Sequence, residues 1–286
     1  MIRRFLGLKQ FRGGPDLEHS YNVRLNLAGT IVNISHPLGG DPLHCSFPLD
    51  NNGNHHIPIE KNGWFEKNTE QSLSHYYIDT ESGAGWSYGK GVWPPVATGP
   101  LGSVSCNVWI KKSAKGCELS LRDLENLKKT IYLDYKNYLE DPVHGYNIKV
   151  QRKAYEWAYS PYRSEAQIED LASRYIRSQS KRYPEELSVY STPTHDWLFY
   201  TEDNKNTRHY CLPITKEYYL MIRFLHQDWL SGYRHYWQEH ANKTEQKIME
   251  SIQLIFPDTY KAITSRHTSK FFHPGCGSIM TTTALL

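Results

Sequence analysis

Fourteen histidines and five cysteines carry most of the latent chemistry of this chain. A metal site needs ligands at spacings that one helix face or one hairpin brings together, such as two histidines at i and i+4. His36 and His44 flank a loop, His55 and His56 are adjacent, and His235 and His240 are five apart, off a shared helix face. His195 and Asp196 follow a Thr-Pro-Thr turn, and neighbours on an extended chain point to opposite sides. With no HExxH motif in the sequence, the histidines read as ordinary core or surface residues, and neither a metal nor a cofactor is expected. Cys45 beside His44 pairs a thiol with an imidazole, but sequence neighbours rarely meet productively. Residues 83–91, GAGWSYGKG, are glycine-rich without the GxxxxGK[ST] spacing of a phosphate loop.

That glycine-rich run continues to Pro100 and reads as a long surface loop. Trp86, Tyr88 and Trp93 lie in it between glycines and prolines. Loops on a β scaffold are common binding devices, and Trp and Tyr are enriched in binding hot spots. These three residues are therefore the expected partner-binding set. The competing reading is that the rings tuck back and close the core.

The elements that would position these groups fall into two parts. Residues 1–112 read as β-rich, with alternation over 22–35 interrupted by a bulge at Ala28-Gly29, a turn over 50–54, and strands over 74–79 and 103–111. Residues 113–262 read as mixed. Helical spacing runs over 120–139 and stops at Glu140-Asp-Pro142, and a second helix covers 164–182 with Ser164 as its cap and Gln167 completing a capping box. Residues 145–159 are ambiguous between a strand and an irregular link. The stretch that organises the chain is 208–257. The run over 210–224 reads as a strand and pairs as a hairpin with a strand over 197–200 across the polar loop 201–207; a helix over 243–256 follows, with Asn242 and Glu245 spaced as a capping box and Pro257 ending it. Residues 263–286 read as an extended tail. The fold class is thus α+β, in one or two domains.

Composition narrows the function. A net charge of +3 with no groove-sized Lys/Arg stripe gives no argument for nucleic acid. No apolar run reaches membrane-spanning length, and the first residues lack an apolar export segment, so a cytoplasmic protein is expected. Widely spaced cysteines point to free buried thiols, with a Cys106–Cys117 bridge as the oxidising alternative.

The strand at 218–224 followed by a helix ending Ile248-Met249-Glu250-Ser251-Ile252 resembles the endings of some bacterial immunity proteins that neutralise toxins of contact-dependent or type VI secretion systems. The resemblance implies an α+β protein without a catalytic set that acts by tight binding to a toxin. The leading expectation is accordingly a non-enzymatic protein-binding module. Two others stand beside it. One is a metal- or histidine-dependent hydrolase assembled from distant residues such as His36, His44, His55 and His195. The other is a carbohydrate or small-ligand module that stacks its ligand on Trp86 and Trp93.

Overall fold

The computed structural model describes residues 11–71, 77–90, 99–113, 118–120, 123–184, 186–202, 206–230, 232 and 234–257. Alternating apolar residues over the first ninety build β1 (Phe11–Gly13), β2 (Asp16–Leu27), β3 (Thr30–Leu38), β4 (Asp41–Pro42), β5 (His55–Ile57), α1 (Trp64–Gln71), β6 (Ile78–Asp79) and β7 (Ala84–Lys90). β8 (Pro100–Lys112) is followed by three helices, α2 (Leu124–Glu140), α3 (Tyr146–Ala158) and α4 (Glu165–Gln179). The chain then makes β9 (Ser188–Ser191), β10 (Asp196–Thr201), β11 (Thr207–Pro213), β12 (Tyr218–Asp228), a 3₁₀ turn (Arg234–Tyr236), α5 (Gln238–Ser251) and β13 (Gln253–Ile255). The α+β expectation is met.

A large sheet runs β1-β7-β8-β12-β11-β10-β9, with β4 paired to β7 and β6 to β8, and a smaller sheet runs β13-β3-β2-β5. Period-two alternation gives the large sheet two apolar faces. On β12, Tyr218, Leu220, Ile222 and Phe224 join Val104, Cys106, Val108 and Ile110 of β8 in a core shared with Leu25, Val32 and Ile34 of the small sheet and with Ile248 and Met249 of α5. The alternate residues Tyr219 and Met221, with Leu198, Tyr200 and Cys211, bury against Leu127 and Ile131 of α2. At about 1.5–3 kcal/mol per fully buried large apolar side chain, these layers hold the fold together.

The first β-rich part and the later mixed part share this sheet, because β8 pairs with β12 from Gly102↔Asp228 to Lys112↔Tyr218. Several local expectations change. Ala28-Gly29 is a two-residue hairpin turn, both residues at positive φ, rather than a bulge within one strand. The run over 210–224 is two strands, since the chain turns at 214–217, where Ile214 and Thr215 donate their N–H groups to Tyr218 O. The hairpin across 202–206 joins β10 to β11, not to β12. Residues 146–158 are helical, with Val150, Ala154 and Ala158 buried four residues apart. The box at Ser164 and Gln167 forms as expected, with both reciprocal bonds present. The closing helix begins five residues before Lys243, so Asn242 and Glu245 sit inside it and make no cap; residues 253–255 leave the helix to pair with β3. Cys106 is a free, buried thiol, which removes the Cys106–Cys117 bridge. The tail 263–286 lies outside the described residues.

Candidate functional site

The segment read as a surface loop is strand β7 over residues 84–90, paired in register with β8. Trp86 and Tyr88 are 1% and 0% exposed. The Trp86 indole donates to Pro37 O at 3.2 Å, and the Tyr88 ring stacks on Trp237 at 5.0 Å. Of the two readings of these rings, the structure shows core closure; as a binding platform they are unavailable in this fold, because the alternation of β7 turns both inward. Trp93 lies outside the described residues. The same strand holds Gly85-Trp86-Ser87-Tyr88-Gly89, the GxSxG spacing of a nucleophile elbow, which the sequence reading missed. An elbow needs a strand-to-helix turn, and Ser87 instead sits mid-strand opposite Ser103.

The candidate histidines separate. His36 is fully buried behind Tyr21, and its Nε2–H donates to Ser82 O at 2.8 Å. Burial holds its pKa down to about 4, so the ring is neutral and internal. His195 is half-buried beside Phe256, with burial again lowering its pKa. His44 and His55 reach one cleft of about 340 Å³, lined also by Tyr21, Leu43 and Cys45. There, His55 Nδ1–H donates to Phe47 O at 2.8 Å. The Cys45 thiol is pushed up by burial, the opposite of an activated nucleophile. No group of three or more His, Cys, Asp or Glu positioned for a metal occurs among the described residues.

A polar network lies under α5. Glu245, spaced in the sequence as a cap partner, points into the sheet and is almost fully buried. Its Oε2 accepts from Arg208 Nη1 at 2.9 Å and from His226 Nε2–H at 2.8 Å, and its Oε1 accepts from the Tyr210 hydroxyl. Gln238 Nε2 donates to His226 Nδ1 at 2.9 Å and to Asn242 Oδ1 at 2.9 Å. Burial raises the Glu245 pKa, but the His226 bond, the Arg208 charge and the Tyr210 bond outweigh it, so the carboxyl is held below its ordinary value. The His226 side chain is 0% exposed, so this network positions structure rather than substrate.

A run of exposed aromatic side chains is on α3 and the link to α4. These helices form an antiparallel arm with a small apolar cluster of its own, centred on Ala154, Ala158 and Ala172. Its base is tied down by reciprocal bonds between Asn147 and the Lys181 backbone and by Lys181 stacking over Tyr138 and Tyr146. At its far end Tyr155, Trp157, Tyr159 and Tyr162 are 44%, 56%, 69% and 94% exposed. Tyr155 is fixed by donating to Glu169 Oε2 at 2.9 Å, and Trp157 leans on Tyr175 at 5.7 Å. Arg163 Nη1 closes the connection by donating to Ala158 O at 2.7 Å. Tyr155 and Trp157 are thus anchored on the hairpin, and Tyr159 and Tyr162 stand exposed at its turn end. In the sequence this set is hidden, because residues 145–159 show no clear period. Comparison with protein-family models, curated proteins and solved structures gives no match.

Proposed function

We propose that the chain is a non-enzymatic protein-binding module and that the tip of the α3–α4 arm is its contact surface. The observation that supports this is the run of four exposed aromatic side chains within residues 155–162, where the hairpin turns. Rigid Tyr and Trp give large contact area at low entropic cost, the composition of interface hot spots. The simplest partner for a module that blocks another protein is a cognate bacterial toxin, and the protein then acts in the compartment where that toxin acts.

The test is affinity capture of the tagged full chain from its own cells, beside a Trp157→Ala/Tyr162→Ala variant. The expected result is a stoichiometric protein recovered with the unsubstituted chain and lost with the variant, whose activity the unsubstituted chain inhibits. Equal recovery with both would move the contact surface elsewhere. A second reading rests on the cleft that gathers His44, Cys45 and His55 beside Tyr21, whose hydroxyl has no protein partner. It treats this cleft as a small-ligand site. A bound small molecule recovered after denaturing the purified protein, and lost in His55→Ala, would favour it.

A further inference from the structure

The arm is divided by charge along its length. At the tip, residues 155–170 hold Glu156, Glu165, Glu169 and Asp170 against the single base Arg163. The stem, residues 142–154 and 171–184, carries seven Lys or Arg and no Asp or Glu. Glu169 is engaged by Tyr155, and Asp170 by Arg174 at 2.7 Å. Glu156 and Glu165 are exposed, have no ion-pair partner among the described residues, and lie in the same segment of the chain as the exposed rings.

We infer that the tip recognises a basic protein surface, one with Lys or Arg side chains around an apolar pocket that receives Trp157 or Tyr162. This rests on the reading of the tip as the contact surface and adds the chemistry of what it meets. Complementary charge at a rim steers encounter and rejects wrong partners. Two unpaired carboxylates share the tip segment with the exposed rings and repel the phosphates of nucleic acid and anionic lipid there, so the tip, unlike the basic stem, fits a basic protein surface.

The experiment incorporates the photo-reactive amino acid benzoylphenylalanine in place of Tyr162 in the full chain, irradiates living cells of the source, and identifies the crosslinked peptide by mass spectrometry. The expected product is a peptide of another protein with more Lys and Arg than Asp and Glu. Placing Glu156→Lys and Glu165→Lys in the same chain should lower its yield about tenfold, as reversing two rim charges implies. Both positions are exposed, and an unchanged thermal melt shows that the variants fold. A crosslink to nucleic acid, to lipid, to residues 258–286 of this chain, or to an acidic or neutral peptide overturns the inference, as does an unchanged yield in the Lys variant. Adding Trp157→Ala instead separates the two ideas. Loss of the crosslink with Trp157→Ala but not with the Lys pair leaves the tip as the contact surface and removes only its charge preference. No crosslink in any chain removes both.

Discussion

Truncating Glu245 to alanine tests how the closing helix is held to the sheet. The carboxylate is the shared acceptor for three donors from two strands: Arg208 and Tyr210 of β11 and His226 of β12. Its removal leaves the His226 Nε2–H with no acceptor in a site with no solvent access. It also leaves the buried Tyr210 hydroxyl without one. Each orphaned buried donor costs about 1–3 kcal/mol. Arg208 is a quarter exposed and keeps its 3.2 Å contact with Asn242, so its loss is the smallest of the three. The sum falls at about 3–5 kcal/mol, the range for breaking a buried ion pair by removing one partner. Glu245→Gln keeps a carbonyl for Arg208 and His226 and offers its amide to Tyr210, whose hydroxyl can reverse and accept. The loss there should be about 1–2 kcal/mol, mainly the charge.

Urea unfolding followed by tryptophan fluorescence reads these values. With an m-value of about 3 kcal/mol/M, Glu245→Ala lowers the midpoint by about 1–1.7 M, and Glu245→Gln by about a third of that. Lys243→Ala is the control on the same helix. Its pair with Glu239 is 60% and 82% exposed, so removing it changes stability by under about 0.5 kcal/mol. The pH dependence follows from the lowered carboxyl pKa. The stabilisation from the charge is complete above the unfolded value of about 4.3 and disappears as pH falls through the lower folded value. The stability difference between the unsubstituted chain and the Glu245→Gln variant is therefore flat above about pH 5 and shrinks below about pH 4. A midpoint shift of under about 0.3 M for Glu245→Ala would refute the claim that this carboxylate anchors the helix.

Other predictions address different layers. His36 is neutral in the fold, with a pKa of about 4 against about 6.5 unfolded, so stability should fall as pH drops from about 6.5 to 4, and His36→Gln should flatten that part of a stability–pH curve. A Cβ at Gly102 would collide with the Trp237 ring and lie 2.6 Å from Gln227 O, so Gly102→Ala should cost about 1–3 kcal/mol or more in urea unfolding. Ala28 adopts φ 51° ahead of Gly29, and Ala28→Asn supplies the Asn-Gly pair that this turn favours; a rise in melting temperature worth up to about 1 kcal/mol is expected, and a fall would contradict the turn assignment. Trp157→Ala and Tyr162→Ala should leave the unfolding free energy from urea titration within about 0.5 kcal/mol of the starting protein while removing partner capture, which a structural role for these rings could not produce.

The legibility of this fold follows the strength of its periods. β8 reads directly as a strand, because Val104, Cys106, Val108 and Ile110 alternate without interruption and all face the core, while its pairing with β7 and β12 does not show in the sequence. The capping box at Ser164 read directly because both partners lie within four residues. Glu245 misled for a physical reason. At the spacing of a capping box from Asn242 it looked like a local partner, and its true partners come from strands β11 and β12, 19 to 37 residues away. The aromatics of β7 misled in a related way. Glycine at 83, 85 and 89 suggested a loop, whereas Gly83 has no room for a side chain, its Cβ position falling on the Cys106 carbonyl. Glycine there permits close strand packing rather than flexibility.

The contact surface proposed on the arm could not be read from either helix alone. Along the sequence, residues 142–184 show mixed charge, and Tyr155 to Tyr162 look like scattered aromatics. Folding α3 back on α4 places Tyr155 beside Glu169 and Asn147 beside Lys181, and that antiparallel register sorts the charges. Acidic residues from the end of one helix meet acidic residues from the start of the next, while both distal halves contribute only bases to the stem. Like charges gathered at one end cost stability within an isolated hairpin. The arm tolerates this because the acidic side chains of the tip are exposed and the base is clamped through Lys181 and Tyr138, so repulsion at the tip is screened. The same screening gives the charge preference a signature. Capture through the tip should weaken as salt rises if the partner is basic, whereas the purely apolar part of the contact, carried by Trp157, should persist at about 0.5 M salt. Capture that strengthens steadily with salt would mean that the carboxylates oppose binding, and would assign the tip to an acidic or uncharged partner instead.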